Sequence, residues 1–85
     1  SEMCIRDSYE KSVEKSRSLD VQVEKLTKAV EYTQELLKLG TYNTTYLDVL
    51  TAQQGLLQAQ ISSLTALNAQ NRALINLYQA LGGGR

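Results

Sequence analysis

From Tyr9 to Leu39 the apolar positions Leu19, Val23, Leu26, Val30 and Leu37 step by four, three, four and seven, with Thr33 in the vacant slot. Such spacing is the seam of a heptad helix. Twelve charged residues from Glu10 to Lys38 surround the seam, and Glu24 with Lys28 forms the favourable acid-before-base pair at i and i+4. One face of this helix is therefore wet, and Glu31 and Glu35 point outward with the rest of it rather than forming an acid–base pair. The second half of the chain differs in kind. Leu50, Leu57, Ile61, Leu64, Ile75 and Tyr78 fall on one seam, while Leu56, Leu67, Leu74, Leu77 and Leu81 fall beside it. Two seams imply more than one neighbour. Ala52, Ala59, Ala66, Ala73 and Ala80 recur at strict seven-residue spacing, keeping a small side chain on one line for the whole helix. That line lets a partner backbone come close, and the expected partner is a further helix, from a longer chain or from identical subunits.

Between the two patterns, Gly40 supplies a stop and Thr45 followed by Asp48 supplies a start of the capping-box type. An acid in the first turn is stabilised by about 0.3–1 kcal/mol by the helix dipole, so Asp48 is explained locally without any function. Gly82, Gly83 and Gly84 close the sequence where left-handed geometry ends a helix. The reading is all-α: an antiparallel two-helix coiled-coil hairpin with a helix over 9–39, a turn over 40–44, a helix over 45–81 and a glycine-rich end at 82–85. At a rise of 1.5 Å per residue the rods are roughly 45 Å and 54 Å long, near enough to lie side by side. A core of this size seldom supplies more than about 3–5 kcal/mol, so further helices are expected around it.

Composition narrows the chemistry. With nine Lys plus Arg against nine Asp plus Glu, the 85-residue chain has no basic footprint for nucleic acid. One Cys and no His leave no structural zinc site, no internal disulfide and no imidazole base, so neither an enzyme nor a cofactor or metal site is expected. Pro is absent, as long uninterrupted helices require, and no run approaches the roughly 18 apolar residues of a spanning helix. Between Val49 and Gly84 the only charge is Arg72; the polar positions are Gln, Asn, Ser and Thr, which hydrogen-bond across an interface without the desolvation cost of a buried charge. The opening Ser-Glu-Met-Cys-Ile-Arg-Asp reads as a translation of TCA GAG ATG TGT ATA AGA GAC, a string resembling a transposase adapter from sequencing libraries. Residues 1–8, with Cys4, are thus expected to be a reading-frame scar on a gene fragment and stand outside the fold reading.

Three strings carry a likeness: Tyr46-Leu47-Asp48-Val49-Leu50-Thr51-Ala52-Gln53-Gln54, then Leu56-Leu57-Gln58-Ala59-Gln60, then Leu77-Tyr78-Gln79-Ala80-Leu81-Gly82-Gly83-Gly84. Together they resemble the closing segment of TolC-like outer-membrane efflux ducts, the subgroup that works with resistance-nodulation-division pumps, over residues 9–85. The resemblance implies a homotrimer in the outer membrane of a Gram-negative bacterium, with a membrane β-barrel and a periplasmic α-helical tunnel of which this chain is the last hairpin. It also implies passive conduction of exported substrates, an inner-membrane pump as partner, and a periplasmic adaptor meeting the hairpin tip at Gly40, Thr41, Tyr42, Asn43, Thr44 and Tyr46. Asp48 matches an acidic position at the closed entrance, where copies would form a ring that draws cations. Thr51 stands where relatives often carry a second acid, so a double acidic ring is not implied. Gly40 precedes Tyr46 by six residues where relatives commonly have four, giving a longer tip. Relatives often place Trp where Arg85 stands. The rival reading is a structural filament or secretion-apparatus subunit of flagellin-like helical type, whose terminal helices are also rich in Gln, Asn, Ser and Ala. A free coiled-coil scaffold is a weaker rival.

Overall fold

The structure is a computed structural model that describes residues 2–40 and 43–83. It contains two helices, α1 (Glu2–Lys38) and α2 (Tyr46–Ala80), packed along their length into a hairpin of 63 × 16 × 14 Å, and no strand among the described residues. The helical periodicities require both elements. Their boundaries are set by local chemistry. Gly40 takes φ 72° and its N–H donates to the Leu37 carbonyl at 3.1 Å, closing α1 with the left-handed residue that glycine accommodates without a Cβ clash. At the far end Gly82 has φ 82°, its N–H donates to Gln79 O at 3.1 Å, and the Gly83 N–H donates to Tyr78 O at 2.8 Å, the paired bonds of a Schellman end.

Every α1 seam position named from the sequence turns towards α2: Leu19, Val23, Leu26, Thr33 and Leu37 are half-buried and Val30 is buried. Thr33 occupies its slot without an orphaned hydroxyl, because its Oγ1 donates to the Ala29 carbonyl at 2.7 Å. The helix starts earlier than expected, at Glu2 rather than Tyr9. The heptad steps continue backwards through Ser16, Ser12, Tyr9 and Ile5, all half-buried or buried, so this pattern extends the rod whatever the origin of residues 2–8. The other ends move by one residue: α1 closes at Lys38 instead of Leu39, and α2 runs from Tyr46 to Ala80 between Thr45 and Leu81 as caps. Ser1, Thr41, Tyr42, Gly84 and Arg85 lie outside the described residues.

The alanine line is the main correction. Ala59 and Ala66 are each 6% exposed, and Ala52, Ala73 and Ala80 are half-buried, all on the α2 face turned to α1. The close neighbour of that line is thus the hairpin's own first helix rather than a helix from elsewhere. Val49, Leu56, Ser63, Gln70 and Leu77 complete the inward seam at steps of three and four. Leu56 and Leu77 therefore leave the outer seam group, while Leu67, Leu74 and Leu81 stay exposed. Among the described residues only Val30, Val49, Ala59, Ala66 and Ser16 are buried, and no large side chain is fully enclosed. Such a thin core gives a two-helix chain little stabilising burial of its own.

One side-chain hydrogen bond joins the helices among the described residues: Ser63 Oγ donates to Asp20 Oδ1 at 2.6 Å. Nothing in the sequence pattern singled out either residue. On the wet face Lys28 Nζ lies 3.7 Å from Glu24 Oε1, as the spacing predicts, and Lys11 Nζ lies 3.3 Å from Asp7 Oδ2. Both pairs are exposed, and each contributes only a few tenths of a kcal/mol, roughly.

Candidate functional site

At the tip, α2 is opened by a complete capping box. The Asp48 N–H donates to Thr45 Oγ1 at 3.3 Å, and the Thr45 N–H donates to Asp48 Oδ2 at 2.8 Å. The Asp48 N–H is shared with the Thr45 carbonyl at 3.0 Å, so the box gives the Thr45 N–H an acceptor and the Asp48 N–H a second one. Thr45 Oγ1 also lies 3.3 Å from Asp48 Oδ2. Thr45→Ala removes the side-chain acceptor of the Asp48 N–H and leaves only the backbone carbonyl, and the expected cost is about 0.5–2 kcal/mol. Thermal unfolding followed by circular dichroism measures it, and a melting curve superposed on the parent would show that the cap contributes nothing.

Asp48 is exposed, so its carboxylate can meet solvent or another charge while it caps. Thr51, one turn on, is also exposed, with its Oγ1 donating to the Leu47 carbonyl at 2.9 Å. Asp48 and Thr51 thus occupy neighbouring turns at the same end of α2. Of the remaining tip residues, Gly40, Asn43 and Tyr46 are exposed and Thr44 is half-buried; Thr41 and Tyr42 are outside the described residues. The sequence reading passed over an apolar component here. Leu39 is 77% exposed and Leu47 69%, beside Tyr46 at 66%, so the tip offers large hydrophobic side chains as well as hydroxyls. Their positions outside the α1 seam and at the start of the outer α2 stripe were the available signal.

The second feature is the outer face of α2. Leu50, Leu57, Ile61, Leu64, Ile75 and Tyr78 are all exposed, Leu64 to 68%. A stripe of this length on a soluble surface marks an interaction face rather than scattered exposed leucines. Beside it, an open groove of about 420 Å³ runs between the helices, lined by residues including Ser12, Lys15, Leu19, Thr65 and Ala69. It lacks the enclosure and convergent polar groups of a small-molecule site. Among the described residues no group of three His, Cys, Asp or Glu could hold a metal ion, and no helix is long and apolar enough to cross a membrane. The chain matches no protein-family model, no curated protein and no solved structure.

Proposed function

We propose that this hairpin is a wall element of a TolC-like outer-membrane efflux duct, lying in the periplasm of a Gram-negative bacterium. The observation that carries this reading is that α2 has an apolar seam on two sides, one packed on α1 and one exposed, with a single charge, Arg72, after Asp48 among the described residues. A helix flanked on both sides by other helices needs that distribution, and a helix on the outside of a soluble domain does not. In the duct, three copies combine with further helices to enclose a water-filled conduit. The hairpin makes and breaks no bond. It conducts passively, the inner-membrane resistance-nodulation-division pump supplies the energy, and the adaptor docks on the tip around Gly40, Asn43, Thr44 and Tyr46.

Grafting α1, the turn and α2 in place of the corresponding hairpin of a resident duct tests the proposal. Restored efflux in a duct-deficient Gram-negative strain is the expected result. A graft that assembles in the outer membrane but does not support efflux counts against it, and polymerisation of the chain into tubes favours the filament reading. Asp48 allows a finer test. Asp48→Asn in the full duct keeps an oxygen acceptor for the Thr45 N–H but removes the charge, so the stability cost is about 0.3–1 kcal/mol. Cation block or single-channel conductance should change; identical electrophysiology would leave Asp48 as a helix cap alone.

A further inference from the structure

The geometry points to a second copy of this chain as the occupant of the outer α2 face, paired in parallel and in register, α2 against α2. The inference goes beyond the duct reading: it concerns the 85-residue chain by itself, in which a copy covers the face that a duct would give to other helices. Two residues along an α-helix turn the direction by about 200°, so the stripe two positions before the inward seam lies across the helix axis from α1. Four rows result, with the charged α1 helices outermost and the α2 helices, which carry only Asp48 and Arg72, between them.

The heptad content of the face selects this partner. In the a positions stand Leu47, Gln54, Ile61, Asn68 and Ile75, and in the d positions Leu50, Leu57, Leu64, Asn71 and Tyr78. β-Branched side chains at a with Leu at d favour two parallel strands, and an Asn at a fixes register. Parallel, in-register pairing sets Gln54, Asn68 and Asn71 each against its own copy, so every amide meets an amide. The fully overlapped antiparallel alignment sets Asn68 against Leu57 and leaves a buried amide without a partner, which is costly.

Charge agrees. The flanking positions Gln53, Gln58, Gln60 and Thr65 are neutral, so a copy brings no repulsion and a charged partner finds no counter-charge. In the parallel pair Arg72 of one copy lies beside Leu67 of the other, where its aliphatic stem covers the leucine while the guanidinium stays wet. From Leu47 to Tyr78 the strip is about 47 Å long and one helix diameter, about 10 Å, wide. It projects roughly 470 Å² on each copy, which brings the pair to the lower bound of about 1,000 Å² for a specific interface.

The test uses the whole chain with Cys4→Ser, which removes a competing thiol. Sedimentation equilibrium at micromolar concentration should give the mass of a dimer, and Leu50→Cys should form an intermolecular disulfide on mild oxidation. Leu64→Glu should raise the dimer Kd at least about 100-fold by placing two carboxylates face to face in the seam. Gln22→Glu, on the exposed face of α1, should leave it unchanged. The disulfide result does not depend on Leu64→Glu folding alone. A monomer at all concentrations, a three-copy assembly, crosslinking of Leu50→Cys with Ile75→Cys in mixed samples, or a Leu64→Glu dimer of parental affinity would each overturn the inference.

Discussion

Val49→Asp is expected to abolish the folded hairpin at neutral pH. Val49 is the most enclosed of the buried residues, 3% exposed, and lies one turn into α2 on the face turned to α1. A carboxylate there loses water, and the adjacent acid in sequence, Asp48, adds like charge. Leaving such a group unpaired costs several kcal/mol, roughly, against a core able to supply about 3–5 kcal/mol. The sign of the pH dependence follows from the same physics. Burial favours the neutral form of the introduced acid, so the variant should regain helicity as pH falls into the range where carboxyl groups take up protons. Far-ultraviolet circular dichroism against pH measures this. A variant as helical as the parent at neutral pH would show that the Val49 site is open to water.

The second large effect is at Ala59. Here α2 presents a small side chain to the larger ones of the α1 seam, and Ala59 is 6% exposed. Ala59→Leu inserts three carbon atoms into a seam whose backbone spacing is set by alanine, and overpacking of this sort typically costs about 1–3 kcal/mol. For a chain of this size each kcal/mol lowers the midpoint of thermal unfolding by about 4–8 °C, so a fall on the order of 10 °C is expected. Ala66→Leu makes a useful comparison. Ala66 is equally enclosed but lines the open groove with Ser12, Leu19 and Ala69, where a larger side chain has somewhere to turn. The loss at Ala66 should be the smaller of the two. Equal melting points for Ala59→Leu and the parent would mean that the alanine line is not what sets the helix spacing.

Much of the hairpin was legible because the signals were local or periodic. Leu19, Val23, Leu26 and Val30 name their own seam, and Thr45 with Asp48 names the start of α2 through a bond that closes within four residues. Gly40 names the stop because left-handed backbone is open to glycine. Less legible was which of two apolar stripes faces inward. Leu50, Leu57, Ile61 and Leu64 are bulkier than the alanines, and bulk alone assigns them to a core, yet they are the exposed ones. The choice is made by fit: long side chains on α1, Leu19, Val23 and Leu26, need short ones opposite. Periodicity on one helix does not reveal its complement on the other. The start of α1 was missed for a different reason, since the adapter-like origin suggested for residues 1–8 carries no information about whether they continue a helix. At the tip, the capping geometry of Asp48 is local and followed from the sequence; a pore or docking role depends on partners, which no spacing within this chain encodes.

The hydrogen bond from Ser63 to Asp20 has a consequence for closure of the hairpin. Alanines repeating every seven residues act like identical teeth on a zip, and such a zip can close one tooth out of step. Sliding one heptad, about 10.5 Å, in one direction sets Asp20 against Leu56, which offers no donor, and frays the last turn of α1. Sliding the other way sets Asp20 against Gln70, whose amide can donate, but unwinds the Thr45–Asp48 box. Each mis-zipped form therefore forfeits something the native alignment keeps, and a repeat that is degenerate by itself closes in a single alignment.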